Sequence, residues 1–113
     1  MDLDFKDKFK DSYTKILSLG EAYAEAKGQS WQMQELKSSV LSRLILQAQE
    51  KESSVSKCEI IAKASDDFKT YVIGTSEAIK TELSLKARYE AEKARFEAYR
   101  SLSSLEKATR NIS

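Results

Sequence analysis

Apolar residues recur at helical spacing along most of the chain. Phe9, Tyr13, Ile16, Gly20 and Tyr23 follow one another at intervals of four, three, four and three. That interval pattern marks one face of an amphipathic helix. It predicts a long first helix over about residues 4–49. Gly20 and Gly28 weaken its middle, each by about 1 kcal/mol relative to alanine, so a bend is expected near Gly28, Gln29 and Ser30. Beyond that point Met33, Leu36, Val40, Leu41, Leu44, Ile45 and Ala48 supply the most strongly apolar half and the expected core.

The pattern stops at Glu50-Lys51-Glu52-Ser53-Ser54-Val55-Ser56, a polar, serine-rich connection. Ser56-Lys57-Cys58-Glu59 then reads as a capping box, in which serine accepts from the backbone N–H three residues on and glutamate reaches back. A short helix over about 57–64 follows, with Ile60 and Ile61 inward. Ser65-Asp66-Asp67 starts another helix, with a cap and two carboxylates that complement the helix dipole. From there to about residue 111 only Gly74 interrupts helical composition. Such a helix is roughly 65 Å long at the standard rise. The expected fold is therefore all-α. It is an elongated antiparallel hairpin of two long helices with a short helix at the turn, coiled-coil-like and dimeric, built as one domain over 1–113.

The long helix carries a tandem heptad. Ala87-Arg88-Tyr89-Glu90-Ala91-Glu92-Lys93 is followed by Ala94-Arg95-Phe96-Glu97-Ala98-Tyr99-Arg100. A sustained seven-residue period keeps a seam aligned along a left-handed supercoil. Two faces result. Ala87, Ala91, Ala94, Ala98, Leu102, Leu105, Ala108 and Ile112 share one, and the small residues assign it to the first helix, where Gly20, Ala24 and Ser30 would reciprocate. Lys86, Tyr89, Lys93, Phe96, Arg100, Ser103 and Lys107 share the other, with Leu85 and Tyr99 at its edge. A hairpin leaves this second face without an internal partner.

The candidate partner-binding residues are accordingly Tyr89, Phe96, Tyr99, Lys86, Lys93, Arg100 and Lys107, joined by Trp31, a residue type favoured at interface hot spots. The expected partner is a second copy or another protein. Single-stranded nucleic acid is the alternative, with rings stacking bases and cations holding phosphates. Against it, Glu82 with Lys86, Glu90 with Lys93, Glu92 with Arg95, Glu97 with Arg100 and Glu106 with Arg110 fall at three- or four-residue spacing. Such pairs neutralise the cations locally. Trp31 also reads as a cover for the bundle end, and Cys58 as a small buried apolar residue in preference to a reactive thiol. Lys6, Lys8 and Lys10 alternate with Asp7 and Asp11 and form no basic arm.

Composition narrows the chemistry. Hydrophobic residues make up 41 % and charged residues 33 % of the 113, with no proline and three glycines, which disfavours a many-stranded β fold. Net charge is +1. Residues 80–113 hold eight basic and five acidic groups, a net +3, and form the one basic segment. Histidine is absent and Cys58 is the single cysteine, so neither a Cys/His zinc site nor an internal disulfide is available. The three glycines are isolated and make no phosphate-binding loop. No catalytic residues, cofactor, metal or small-molecule substrate are expected, and the chain reads as a non-enzyme. No apolar run approaches a membrane span, and the start of the chain carries no signal-peptide hydrophobic region, so a cytoplasmic protein is expected.

The order of elements resembles a known group. A helix with Trp31, Leu36, Val40, Leu41 and Leu44 leads to a serine-rich turn over 53–56 and a small helix with Glu59 and Ala62. Ala64 and Ser65, the aromatic pair Phe68 and Tyr71, and a closing helix with Tyr89, Phe96 and Arg100 follow. This resembles small all-helical bacteriophage and prophage proteins, often found near early or DNA-recombination genes. The resemblance covers most of residues 20–110. It implies an accessory role in phage DNA recombination or replication inside the bacterial host cytoplasm, or binding to a host protein, including steric inhibition of a host defence protein.

Overall fold

Helical composition dominates as the sequence requires. The computed structural model describes residues 2–112, with side chains from Phe5 to Asn111. Within them lie α1 (Asp2–Glu35), α2 (Lys37–Ala48), α3 (Val55–Ala64) and α4 (Asp66–Ile112), and no strand. No helix among the described residues is long and apolar enough to cross a membrane.

In place of one helix over 4–49 there are two, divided at Leu36. A long-range contact from α4 falls at the division. The Tyr71 hydroxyl donates to the Met33 carbonyl, the oxygen that the Lys37 N–H would engage in an unbroken helix. Leu36 stays near helical geometry at φ −82° and ψ −3°, and no side chain caps α2. The flanking bonds from Leu36 N–H to the Gln32 carbonyl and from Val40 N–H to the Leu36 carbonyl persist at 3.0 Å each. Neither Gly28 nor Gly74, the two glycines at which the sequence leaves a break open, interrupts a helix.

The cap of α3 also differs from the expected capping box. Ser54, not Ser56, occupies the cap in extended conformation, and its side chain accepts from the Lys57 N–H at 3.5 Å. The Glu52 carboxylate accepts from the Ser54 N–H at 3.2 Å, and the Glu52 carbonyl accepts from the Cys58 thiol at 3.2 Å. These bonds hold the end of the 49–54 connection against the first turn of α3. At α4 the expected cap is present: Ser65 Oγ accepts from the Phe68 N–H at 3.2 Å, with Asp66 and Asp67 in the first turn.

The chain forms two compact units, one from the described residues up to 25 with those from 83 onward, the other from 26–82. In the first, α1 contributes Phe5, Phe9, Ser12, Ile16, Leu19 and Tyr23 at alternating spacings of four and three, all buried or half-buried. Helix α4 contributes Leu85, Tyr89, Glu92, Phe96, Tyr99, Ser103 and Glu106 in the same way. That alternation is the mark of a two-helix seam. The two segments run antiparallel, since Gly20 and Tyr23 meet Tyr89 whereas Phe9 meets Phe96 and Tyr99.

The second unit has its own core. Ala26, Leu44, Cys58 and Ala62 are its buried apolar residues, and Ser30 is buried with them. Ser30 Oγ accepts from Gln34 Nε2 at 3.0 Å, which satisfies the hydroxyl without a partner helix. Helices α2 and α3 pack on one another. Burying the Leu44 side chain there contributes roughly 1.5–3 kcal/mol.

Candidate interaction surfaces

In the first unit the structure reverses the expected use of the two faces of α4. The aromatic rings face inward. Phe96 packs edge-on against Phe9 with centroids 5.3 Å apart, and Tyr99 lies 6.4 Å from Phe9. Tyr89 stacks at a tilt on Tyr23, 6.1 Å away, and passes over Gly20. A Cβ at Gly20 would sit 3.3 Å from the Tyr89 ring, so the glycine is what lets the ring approach the helix. Gly20 does reciprocate α4, but toward Tyr89 and not toward an alanine.

The seam is offset from the expected one at every second position. Leu85, Glu92, Tyr99 and Glu106 take the places assigned to Lys86, Lys93, Arg100 and Lys107. Those four cations are exposed along one flank. Lys93 Nζ stands 4.6 Å above the Tyr89 ring, a cation–π contact whose stem shields the seam. Arg100 pairs with Glu97 at 3.7 Å, with both side chains largely in solvent. Lys107 borders a shallow groove with Phe5, Phe9 and Ser103. On the α1 side, Lys8 Nζ lies 5.6 Å from the Tyr99 ring and 6.0 Å from Phe5.

Its three-residue spacing from Arg95 marks Glu92 as a surface ion-pair partner, but Glu92 is a buried member of the seam. Its carboxylate accepts from Ser12 Oγ at 2.8 Å and lies 3.7 Å from Arg95. The signal for it was present in the sequence. Extending the three–four spacing from Leu85 through Tyr89, Phe96, Tyr99 and Ser103 passes through Glu92, and the matching run in α1 passes through Ser12. Tyr13, which the sequence reading placed on the inner face of α1, is exposed, as is Leu17.

The opposite face of α4 is the open one. Ala87, Ala91, Ala94, Ala98, Leu102, Leu105 and Ala108 are all exposed, with Leu102 at 50 % and Leu105 at 64 %. Ile112 falls outside the described side chains. The expected pairing of this face with α1 is therefore corrected. An aromatic seam buries far more apolar area per residue than alanine does, so the rings take the internal partner and leave the alanines outside.

Trp31 lies in the second unit and is 64 % exposed, so it does not cover the core there. Ile60 and Ile61, expected to point inward, are 67 % and 48 % exposed, and Leu46 of α2 is 64 % exposed. Cys58 and Ala62 take the inward positions of α3 in their place. The Cys58 thiol is fully buried, in keeping with a packing residue.

Comparison with known proteins finds no matching family, no matching curated sequence and no matching solved structure.

Proposed function

We propose that the chain is a non-catalytic helical interaction module that acts by binding protein. One observation carries the reading: the outward face of α4 in the first unit is apolar at three–four spacing and exposed, although the inner face of the same helix segment already has its partner. Outward positions of a two-helix pair ordinarily carry charge, and contiguous exposed apolar surface marks interaction sites. The exposed Leu46, Ile60 and Trp31 of the second unit support the same reading. The resemblance to phage and prophage proteins gives this module its setting, an accessory role in phage DNA metabolism or the steric blocking of a host protein.

The test compares the wild-type chain with Ala94→Glu, which puts a charge on the outward face without touching the seam. Self-association or retention of another protein by wild type, lost in Ala94→Glu, is the expected result. A wild-type chain that neither associates with itself nor retains another protein through this face overturns the reading.

The exposed cations Lys86, Lys93, Arg100 and Lys107 favour a second reading, binding of single-stranded nucleic acid. With Tyr89, Phe96 and Tyr99 packed on α1, the cations would act on phosphates without base stacking. Anisotropy with labelled oligonucleotides decides it. Binding that falls steeply with added salt supports this reading, and no binding at low salt removes it.

A further inference from the structure

We infer that the occupant of the outward face of α4 is a second copy of this chain, with the two α4 segments parallel and in register. This rests on the interaction-module reading and names its partner. Alanine alone would not carry it, because alanine is also the best helix former. The large aliphatic residues and the flanking charges do. Leu105, 64 % exposed, continues the line of Ala91 and Ala98 at seven-residue spacing, and Leu102 lies beside it.

The charges then select the partner and its direction. One flank of the face carries Arg88 and Arg95, the other Glu90 and Glu97, all exposed. When two such helices run parallel and in register, a residue on the acidic flank meets the residue five positions further along on the basic flank of the other helix. Glu90 therefore meets the second copy's Arg95, and two-fold symmetry repeats the contact on the other side. When the helices run antiparallel, like flanks face each other, so glutamate meets glutamate and arginine meets arginine. In the parallel arrangement Glu90 meets an arginine on each side, whereas Glu97 falls opposite Leu102 and keeps its own Arg100; in the antiparallel arrangement neither glutamate meets an arginine of the second copy. Arg95 already stands 3.7 Å from Glu92, and its guanidinium has further donors for a second carboxylate. Alanines along the seam allow the two backbones to approach to about 8 Å, the close end of helix packing.

The experiment is sedimentation equilibrium of the full chain over micromolar concentrations, with circular dichroism confirming helix content. Wild type is expected to dimerise and Ala94→Glu to be monomeric with unchanged helicity. Glu90→Arg is expected to weaken the dimer tenfold or more, and Glu90→Arg with Arg95→Glu to restore it. A wild type that stays monomeric at 100 µM, about the concentration where a weak dimer would show, overturns the inference. So does a dimer that Ala94→Glu leaves intact. Dimerisation that Glu90→Arg does not weaken, or that the double exchange does not restore, overturns the parallel arrangement. A monomer that still retains another protein through this face would sink this inference while leaving the interaction-module reading standing.

Discussion

Ser12 of α1 donates a 2.8 Å hydrogen bond to the buried carboxylate of Glu92 on α4. It is a buried polar rung in the seam, with Phe9 and Phe96 as its neighbours toward one end. A single polar pair at a seam position stabilises one alignment over its slipped alternatives, because any slip leaves both groups buried without each other.

Ser12→Ala is expected to destabilise the chain by about 1–3 kcal/mol, since it leaves a buried carboxylate without its short bond. Replacing both partners with apolar residues, Ser12→Ala with Glu92→Leu, is expected to be near neutral or stabilising, because neither desolvated group remains. Urea denaturation followed by circular dichroism measures both. A Ser12→Ala variant as stable as wild type would remove the rung from the account.

Phe96→Ala is expected to lower stability by about 2–3 kcal/mol, below the ~3–5 kcal/mol of a fully buried phenylalanine because the ring is half-buried. Ala91→Gln, on the outward face of the same helix, is expected to change monomer stability by less than about 0.5 kcal/mol. Thermal melts at low protein concentration separate the two faces. Equal effects at the two positions would contradict the inward placement of the rings.

Gly28→Ala is expected to stabilise the chain by about 0.5–1 kcal/mol, since an added Cβ meets open space there and alanine is the better helix former. Gly20→Leu is expected to do the opposite, by roughly 1–3 kcal/mol, because the side chain would drive into the Tyr89 ring. Opposite signs for two glycines in one helix are the diagnostic, read as melting temperatures.

Tyr71→Phe is expected to close the division between α1 and α2. Without the hydroxyl, the Met33 carbonyl becomes free to accept from the Lys37 N–H. Amide exchange at Lys37 should slow in the variant while the net stability change stays near 1 kcal/mol, one hydrogen bond being exchanged for another. Unchanged or faster exchange at Lys37 would show that Tyr71 does not cause the break.

Ser54→Ala is expected to cost about 1 kcal/mol as a lost helix cap, and Ser56→Ala, inside the first turn of α3, only a few tenths. Denaturant midpoints of the two variants rank the caps, and a larger effect at Ser56 would return the cap to the position the local motif favours.

The sequence by itself determined that this chain is helical, that a polar connection separates its two halves, expected over 50–56 and found over 49–54, and that Ser65 caps α4, because these follow from local spacing, capping and the lack of proline. It also determined that α4 has two different faces, since a seven-residue period is a local property. Which face turns inward was a tertiary decision. An alanine stripe and an aromatic stripe both fit a helix, and the choice depends on what α1 offers opposite. There Phe9, Gly20 and Tyr23 make room for rings, and Ser12 donates to a carboxylate that local spacing alone assigns to a surface ion pair. The break at Leu36 was likewise invisible locally, because the contact found beside it, from the Tyr71 hydroxyl, comes from thirty-eight residues along the chain.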